Sequence, residues 1–487
     1  MTGGPAREGL GIFYAAQGPM RDIIYDFDMI VIGSGPSGRR AAIQSAKIGK
    51  SVLVVEKGHR VGGVSVHTGT IPSKTMRETV LNLSGWRERE FYGRSYRVKK
   101  VIDAGDLMMR LRKTLDHEVE VLEHQFSRNA VTTTCGEGRF LGPHEIEVIN
   151  NDGDRDVYTA SKILIACGTR PFRPDHVPFN DSNIFDSDDI LNLPKLPRSL
   201  TVVGAGVIGV EYATIFSALD VAVTLVDARP SFLDFIDREL IEELTHDLRD
   251  RNVGLRLGSA VTSIELSETG RPVTRLADGR SVTADMLLYT AGRVGATDTL
   301  NLGAAGIDAD NRGRILVETK SMQTAVRHIY AAGDVIGFPS LASTSMEQGR
   351  VAACHAFGME PPPPPEFFPY GIYSVPEIST VGMSEEDVRK REIPYECGIA
   401  RFRETSRGQI MGLTSGMMKM IFSTKTRRLL GVHIIGEGAT ELIHIGQAVL
   451  NLKGSIDYFI ENTFNYPTLA EAYKIAGLDA WNKMVAR

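Results

Sequence analysis

Two hexapeptides in this 487-residue chain could cradle a pyrophosphate: Gly33-Ser34-Gly35-Pro36-Ser37-Gly38 and Gly204-Ala205-Gly206-Val207-Ile208-Gly209. Each has the spacing G-x-G-x-x-G. The first glycine permits a tight turn and the second lets the backbone approach the phosphates. The third allows close helix packing, and the helix N-terminus faces the negative charge. A lone copy is weak. It becomes specific when strands flank it and an acidic residue closes the second strand. Glu56 does so after the first copy and Asp227 after the second. A carboxylate there accepts hydrogen bonds from ribose hydroxyls and repels a 2′-phosphate, which leans the second copy toward NAD. Arg229, two residues on, either offsets that repulsion and admits NADP or is a solvated surface charge.

These loops require particular elements to hold them. Met29-Ile30-Val31-Ile32 is a short apolar run suited to a buried parallel strand. Residues 39–49 read as an alanine-rich helix and residues 51–56 as the next strand. The second copy repeats this order, with a strand at 200–203, a helix to Leu219 and a strand at 221–227. Duplication of a βαβ unit predicts an α/β chain with two Rossmann-like dinucleotide-binding domains. Between them, Leu107, Met108, Leu111, Leu115, Val119 and Leu122 recur at helical spacing, so residues 75–126 read as a helical excursion. The unbroken proline run 361–365 can be neither helix nor central strand and marks a boundary. Beyond it, strands at 418–422 and 429–435 and a helix at 439–452 predict a third, α+β domain.

Bulk properties exclude several partners. The chain is too long for one core, and 42% hydrophobic with 24% charged residues is ordinary for a soluble globular protein. The net charge is −5 and no basic run could track a phosphate backbone, so nucleic acid is not expected. No apolar stretch is long enough to span a membrane. Cys135, Cys167, Cys354 and Cys397 are far apart without metal-ligand spacing. No metal site is therefore expected, and the four read as buried apolar residues in a reducing cytosol, hence a cytoplasmic protein. Residues 1–22 lack a basic n-region and read as a mobile tail or a start site misplaced upstream of Met20, not as a signal peptide.

Two further pieces carry a resemblance. The stretch from Thr324 to Ile329-Tyr330-Ala331-Ala332-Gly333-Asp334 resembles the second FAD-binding motif of two-dinucleotide flavoproteins. Ala166-Cys167-Gly168-Thr169 resembles their Ala-Thr-Gly linker, with Cys167 in place of its threonine. The resemblance implies one non-covalent FAD in the first domain, Asp334 at its ribityl chain, and Gly168 and Gly333 beside it. It also implies a division into a tail (1–24), an FAD-binding domain (25–170 and 295–360), an NAD(P)-binding domain inserted in it (171–294) and a dimerisation domain (366–487).

The segment Gly62-Gly63-Val64-Ser65-Val66-His67-Thr68-Gly69-Thr70-Ile71-Pro72-Ser73-Lys74 resembles the redox-active segment of the pyridine nucleotide-disulfide oxidoreductases. That likeness covers nearly the whole chain from Phe27 and implies at least a homodimer. Ser65 and Thr70 stand where the family has two cysteines. A hydroxyl has neither the low pKa nor the two-electron chemistry of a thiol, so dithiol exchange through this segment is excluded. In Asn465-Tyr466-Pro467-Thr468-Leu469-Ala470-Glu471, Glu471 of the family's His-Glu pair is present and Tyr466 replaces the histidine. The remaining pattern resembles the soluble, FAD-dependent pyridine nucleotide transhydrogenases of that family. It implies reversible hydride transfer from NADPH to NAD⁺ through FAD by a ping-pong route, with NAD(H) and NADP(H) as substrates. Gly63, Thr70 and Lys74 are then expected at the flavin, with Glu211 paired to Lys74; alternatively both charges are surface residues. His67 reads as a polar loop residue, His433 and His444 as interface packing. Two other readings stay open: an NAD(P)H-dependent quinone or oxygen reductase, and a non-catalytic flavin-binding redox sensor.

Overall fold

The computed structural model describes residues 24–360, 363 and 366–486. The expected tail up to residue 23, and the proline run apart from Pro363, lie outside the described residues. The first βαβ unit is Phe27–Ile32, Pro36–Lys47 and Val52–Glu56. Its strands are parallel, from Met29 opposite Val52 to Ile32 opposite Val55. The helix begins three residues earlier than its apolar pattern because Pro36 opens it, where a missing N–H costs nothing and φ is already helical.

The first sheet runs Thr132–Cys135, Val52–Glu56, Phe27–Ile32, Arg155–Ile165, Ile329–Ala331, all parallel. Its last strand comes from far along the chain, after the second fingerprint. Arg155–Ile165 belongs to two ladders. Residues 160–165 pair with Phe27–Ile32, and residues 155–159 pair antiparallel with Glu145–Ile149, which in turn pairs with Glu137–Gly142. The second parallel sheet runs Gly254–Leu257, Ala222–Asp227, Ser199–Val203, Met286–Tyr289, Ile184–Asp186. Between the two sheets the chain leaves through Thr169–Pro171 and returns through Arg293–Gly295, which pair with each other.

The third unit is an antiparallel sheet, ordered Tyr370–Ile372, Ile378–Gly382, Leu429–Ile435, Met417–Ser423, Tyr395–Arg401. Helices Ala439–Asn451 and Glu471–Val485 lie against it. The helical excursion holds two long helices, Thr70–Leu83 and Ala104–Arg128, with the short segments Trp86–Glu88 and Arg89–Tyr92 between them. Gly85, left-handed at φ 63°, follows the first, and an Asp103–Asp106 capping box starts the second. Helix Val207–Ala218 is apolar nearly all round and buried throughout residues 209–218, because it lies between its own sheet and Thr70–Leu83. One core is shared by all three parts, joining Met76 and Val80 to Val210 and Phe216 and to Ile372 and Val375.

The cysteines correct one expectation. All four are free, but only Cys354 is buried, and Cys135 is exposed. Cys135 ends an edge strand whose outer face meets water.

Candidate functional site

The first fingerprint loop is held by contacts that leave no room for a side chain. Gly33 has φ +103°, and a Cβ there would lie 2.4 Å from the Ala166 carbonyl oxygen. A Cβ on Gly38 would lie 1.9 Å from the carbonyl oxygen of Gly33. Gly35 is different, since a Cβ there would meet nothing within 4 Å. Its open side adjoins a cavity of about 430 Å³ lined by Gly33, Gly35, Glu56, Gly63, Thr70, Gly168, Gly333 and Asp334. Helix Pro36–Lys47 has no side-chain cap and no acid in its first turn, so its N–H groups are available to an anion. Gly63 seats the next segment against the loop, where a Cβ would lie 2.9 Å from Gly35 Cα. Gly333 sits on helix Pro36–Lys47, its would-be Cβ 2.6 Å from Ser37 Oγ.

Glu56 is buried, and it organises the loop itself. Its Oε2 accepts from the Ser34 amide at 3.0 Å and from the Ser34 hydroxyl, and its Oε1 accepts from the Gly58 amide at 2.9 Å. Asp334 lines the cavity, and burial raises its carboxyl above the usual carboxylate range against the opposing pull of Arg293 and Ser345. A carboxyl in that state gains from hydroxyl donors. Cys167, also on this wall, has its thiol pushed up to about 12 by desolvation.

The second cradle repeats the first closely. Gly204 has φ +102° and a Cβ there would meet the Thr290 carbonyl at 2.8 Å. Gly209 would place one 1.9 Å from the carbonyl oxygen of Gly204, and Gly206 again faces open space. Helix Val207–Ala218 likewise starts uncapped and without an acid. Asp227 accepts from the Ala205 amide at 2.6 Å and is gripped by Arg229, whose Nε and Nη2 donate to its two oxygens at 2.9 and 2.8 Å. Burial opposes its ionisation, but the bonds from Arg229 and Ala205 outweigh it and hold the carboxyl below its ordinary range. Arg229, half-exposed at the surface, is thus the ion-pair partner of Asp227.

Between the cradles lies a larger cavity of about 840 Å³, whose wall includes Thr70, Lys74, Gly206, Glu211 and Asp334. Lys74 and Glu211 meet there. Lys74 Nζ donates to Glu211 Oε2 at 2.6 Å, and Glu211 is buried. Lys74 stands near the start of Thr70–Leu83 and Glu211 on Val207–Ala218, so the pair forms where these helices pack. The surface-charge reading of the two does not hold.

Other residues fall less simply. Ser65 donates to the Gly62 carbonyl at 3.1 Å, and with Thr70 lines the smaller cavity. His67 points its Nε2 at the carbonyls of Arg60 and Val61, 3.2 and 3.0 Å away, and so braces the preceding loop. His433 is buried inside the third sheet against Thr380 and the Met383 carbonyl, not at a surface, and burial keeps it below the usual histidine range. His444 lies on the wall of the larger cavity and contacts Gln447. Tyr466 is exposed, its hydroxyl 2.5 Å from Ser406 Oγ. Glu471 Oε2 is buried without a hydrogen-bond partner among the described residues. Sequence reasoning missed Arg293, which lines the larger cavity and donates to Thr169 Oγ1 at 3.0 Å and to Asp188 at 2.9 Å. It also missed Tyr373. A lone arginine or tyrosine with no motif offers no signal.

Residues 27–349 match the pyridine nucleotide-disulphide oxidoreductase profile, and residues 368–476 match the dimerisation domain of the same group. The soluble pyridine nucleotide transhydrogenase of Mycobacterium tuberculosis is 52% identical over 462 residues, covering 95% of this chain and 98% of that protein. The protein of the same name from Vibrio atlanticus is 40% identical over 464 residues, covering 94% and 98%. The crystal structure of LpdA from Mycobacterium tuberculosis superposes with a TM-score of 0.84 at 25% identity, covering 92% of this chain and 99% of that one. The HOCl-induced flavoprotein disulfide reductase RclA from Escherichia coli gives 0.83 at 25%, covering 93% and 99%. The fold is accordingly α/β, with two Rossmann-like dinucleotide-binding parts and a C-terminal α+β dimerisation domain. Matched across most of its length by profile and relatives alike, the chain belongs to the pyridine nucleotide-disulphide oxidoreductase family, which works with a flavin and a nicotinamide nucleotide.

Proposed function

We propose that this chain exchanges hydride reversibly between NADPH and NAD⁺, with FAD held in the smaller cavity and nicotinamide nucleotides visiting the larger one. The observation that carries this is the pair of hydroxyls at Ser65 and Thr70. They line the smaller cavity where an electron path to a disulfide substrate would need thiols, while both cradles and the Lys74–Glu211 pair are in place. The relatives at 52% and 40% identity, both named soluble pyridine nucleotide transhydrogenases, support the same reading.

Bound there, the flavin supplies a two-electron relay between one nicotinamide and the next. The chain supplies position and charge. Gly33, Gly35, Gly38 and the open end of helix Pro36–Lys47 would hold the FAD pyrophosphate, and Glu56 its adenosine ribose. Gly63, Thr70, Gly168, Gly333 and Asp334 would hold the inner half, with Asp334 accepting from a ribityl hydroxyl. Gly204, Gly206, Gly209 and Asp227 would hold the nicotinamide nucleotide, and Arg229 would admit the 2′-phosphate of NADP(H). Lys74, steadied by Glu211, would place positive charge on the wall of the larger cavity. The described residues hold one nicotinamide cradle per chain, so donor and acceptor must use it in turn. That is a ping-pong scheme.

The FAD-binding part would comprise residues 25–170 and 295–360, the NAD(P)-binding part 171–294, and residues 366–487 would pair two chains into a cytoplasmic homodimer. No described helix is long and apolar enough to cross a membrane. The test is anaerobic mixing of holoenzyme with NADPH and a spectrally distinct NAD⁺ analogue. Hydride is expected in the analogue, with parallel double-reciprocal plots. An unreduced analogue alongside rapid quinone reduction would sink the reading in favour of a quinone reductase. Failure of NADPH or NADH to bleach the flavin at all would favour a redox sensor.

A further inference from the structure

Among the described residues the Lys74 ammonium meets three groups, and each comes from a different part of the chain's architecture or from its own neighbour. Glu211 Oε2, on the second unit, accepts from it at 2.6 Å. Ser73 Oγ lies at 3.3 Å. The third contact is the Tyr373 ring, from the third unit, whose centroid is 4.9 Å from Nζ. A lysine side chain is a flexible stem carrying a point charge, so one carboxylate fixes its distance but not its direction. An aromatic face adds a broad attractive surface and removes water from that side.

Backbone bonds place the ring. The Tyr373 amide donates to Glu211 Oε1 at 2.9 Å, so the carboxylate that takes Lys74 on one oxygen takes this residue on the other. Two residues on, the Val375 amide donates to Thr214 Oγ1 at 3.0 Å. Arg77 Nε, on the Lys74 helix, donates to the Ser374 carbonyl at 3.0 Å. Segment 373–375 is therefore stitched to helices Thr70–Leu83 and Val207–Ala218 by groups that survive any change of the Tyr373 side chain. Burial and the neighbouring Glu377 carboxylate raise the Tyr373 hydroxyl above its ordinary range, so what faces the ammonium is a neutral ring.

We propose that Tyr373 is a positioning residue for Lys74, its ring holding the ammonium, together with Glu211, on the wall of the larger cavity. The effect on rate rests on the hydride-exchange reading; the effect on the lysine itself does not.

Both are measurable on the holoenzyme. Competitive acetylation read by mass spectrometry compares Lys74 with the exposed Lys425. Tyr373→Leu should raise the relative labelling of Lys74 about two- to thirtyfold, the range that a cation–π contact is worth. Tyr373→Phe, which keeps the ring, should restore protection, and Tyr373→Met serves if the leucine variant does not fold. Unchanged labelling in the leucine and methionine variants, or a phenylalanine variant as reactive as they are, overturns the proposal. The second readout is anaerobic bleaching of the flavin by NADPH. Tyr373→Leu should slow it by a similar factor in the natural chain and not when Lys74 is already methionine. An equal loss in the Lys74→Met background overturns the proposal, because the ring would then act without the lysine. If instead hydride fails to pass between unlike nucleotides while the labelling result stands, only the functional reading falls.

Discussion

If Asp227 holds the adenosine ribose as proposed, nucleotide preference turns on which partner the Arg229 guanidinium takes. Paired as they are, the carboxylate's charge is covered and its oxygens are occupied by Arg229 and the Ala205 amide. A ribose 2′-hydroxyl needs one of those oxygens released. A 2′-phosphate needs the guanidinium turned outward to meet it, and a half-exposed Arg229 side chain has room to turn. Arg229→Ala should therefore raise the KM for NADPH by about ten- to a hundredfold, the worth of a charged hydrogen bond, and move that for NADH less than threefold. Steady-state kinetics with each nucleotide decide it, and equal changes for both would exclude Arg229 from discrimination. At this scale the sequence was legible where residues sit inside a motif. Glycines 33, 35, 38, 204, 206 and 209 and the two strand-end acids follow from spacing, and Lys74 and Glu211 from resemblance. Tyr373 and Arg293 were not legible, because their roles come from contacts between distant segments with no local pattern.

Each fingerprint helix depends on a glycine that touches the first glycine of its own loop. Gly38 and Gly209 both sit where a Cβ would lie 1.9 Å from a backbone carbonyl oxygen, which cannot yield without opening the loop. Overpacking of this kind costs about 1–3 kcal/mol, and here the strain falls on the phosphate cradle itself. Gly38→Ala should yield protein depleted in flavin. Gly209→Ala should keep its flavin yellow while losing bleaching by either nucleotide. Absorbance of the purified proteins and an anaerobic titration separate the two, and a Gly209→Ala protein reduced at the natural rate would refute the assignment. The elements carrying these loops were readable from apolar runs of period-free strand and alanine-rich helix. The hairpin Glu137–Gly142 with Glu145–Ile149 was not, since Arg155–Ile165 divides its length between two ladders and so follows no single burial pattern.

At the scale of the whole molecule, the nucleotide part and the third sheet are pinned by a buried charge. Lys419 lies in the apolar strand Met417–Ser423 and donates to Asp237 and Glu239, at the start of helix Arg238–Asp250, and to Glu385. Asp237 is itself buried and also accepts from the Glu385 amide at 3.1 Å. Lys419→Met would strand the fully buried Asp237 carboxylate without its cation, at a cost of about 3–5 kcal/mol. A marked fall in the thermal midpoint is expected, and a midpoint within a degree of the natural protein would refute the network's importance. Nothing local to a lysine in an apolar strand names its partners, so this network was not legible in the sequence.

The antiparallel contact of Thr169–Pro171 with Arg293–Gly295 has a broader consequence. Everything between those two short strands enters and leaves by one doorway, its ends side by side in a single ladder. Such a module can be lifted out and another put in its place without rethreading the host. A replacement must still match the core that this module shares with Met76, Val80, Ile372 and Val375, and keep Asp237 and Glu239 against Lys419. A chimera carrying residues 171–294 of a relative would inherit that relative's choice of nucleotide only if the Lys74–Glu211 seam were kept intact across the graft.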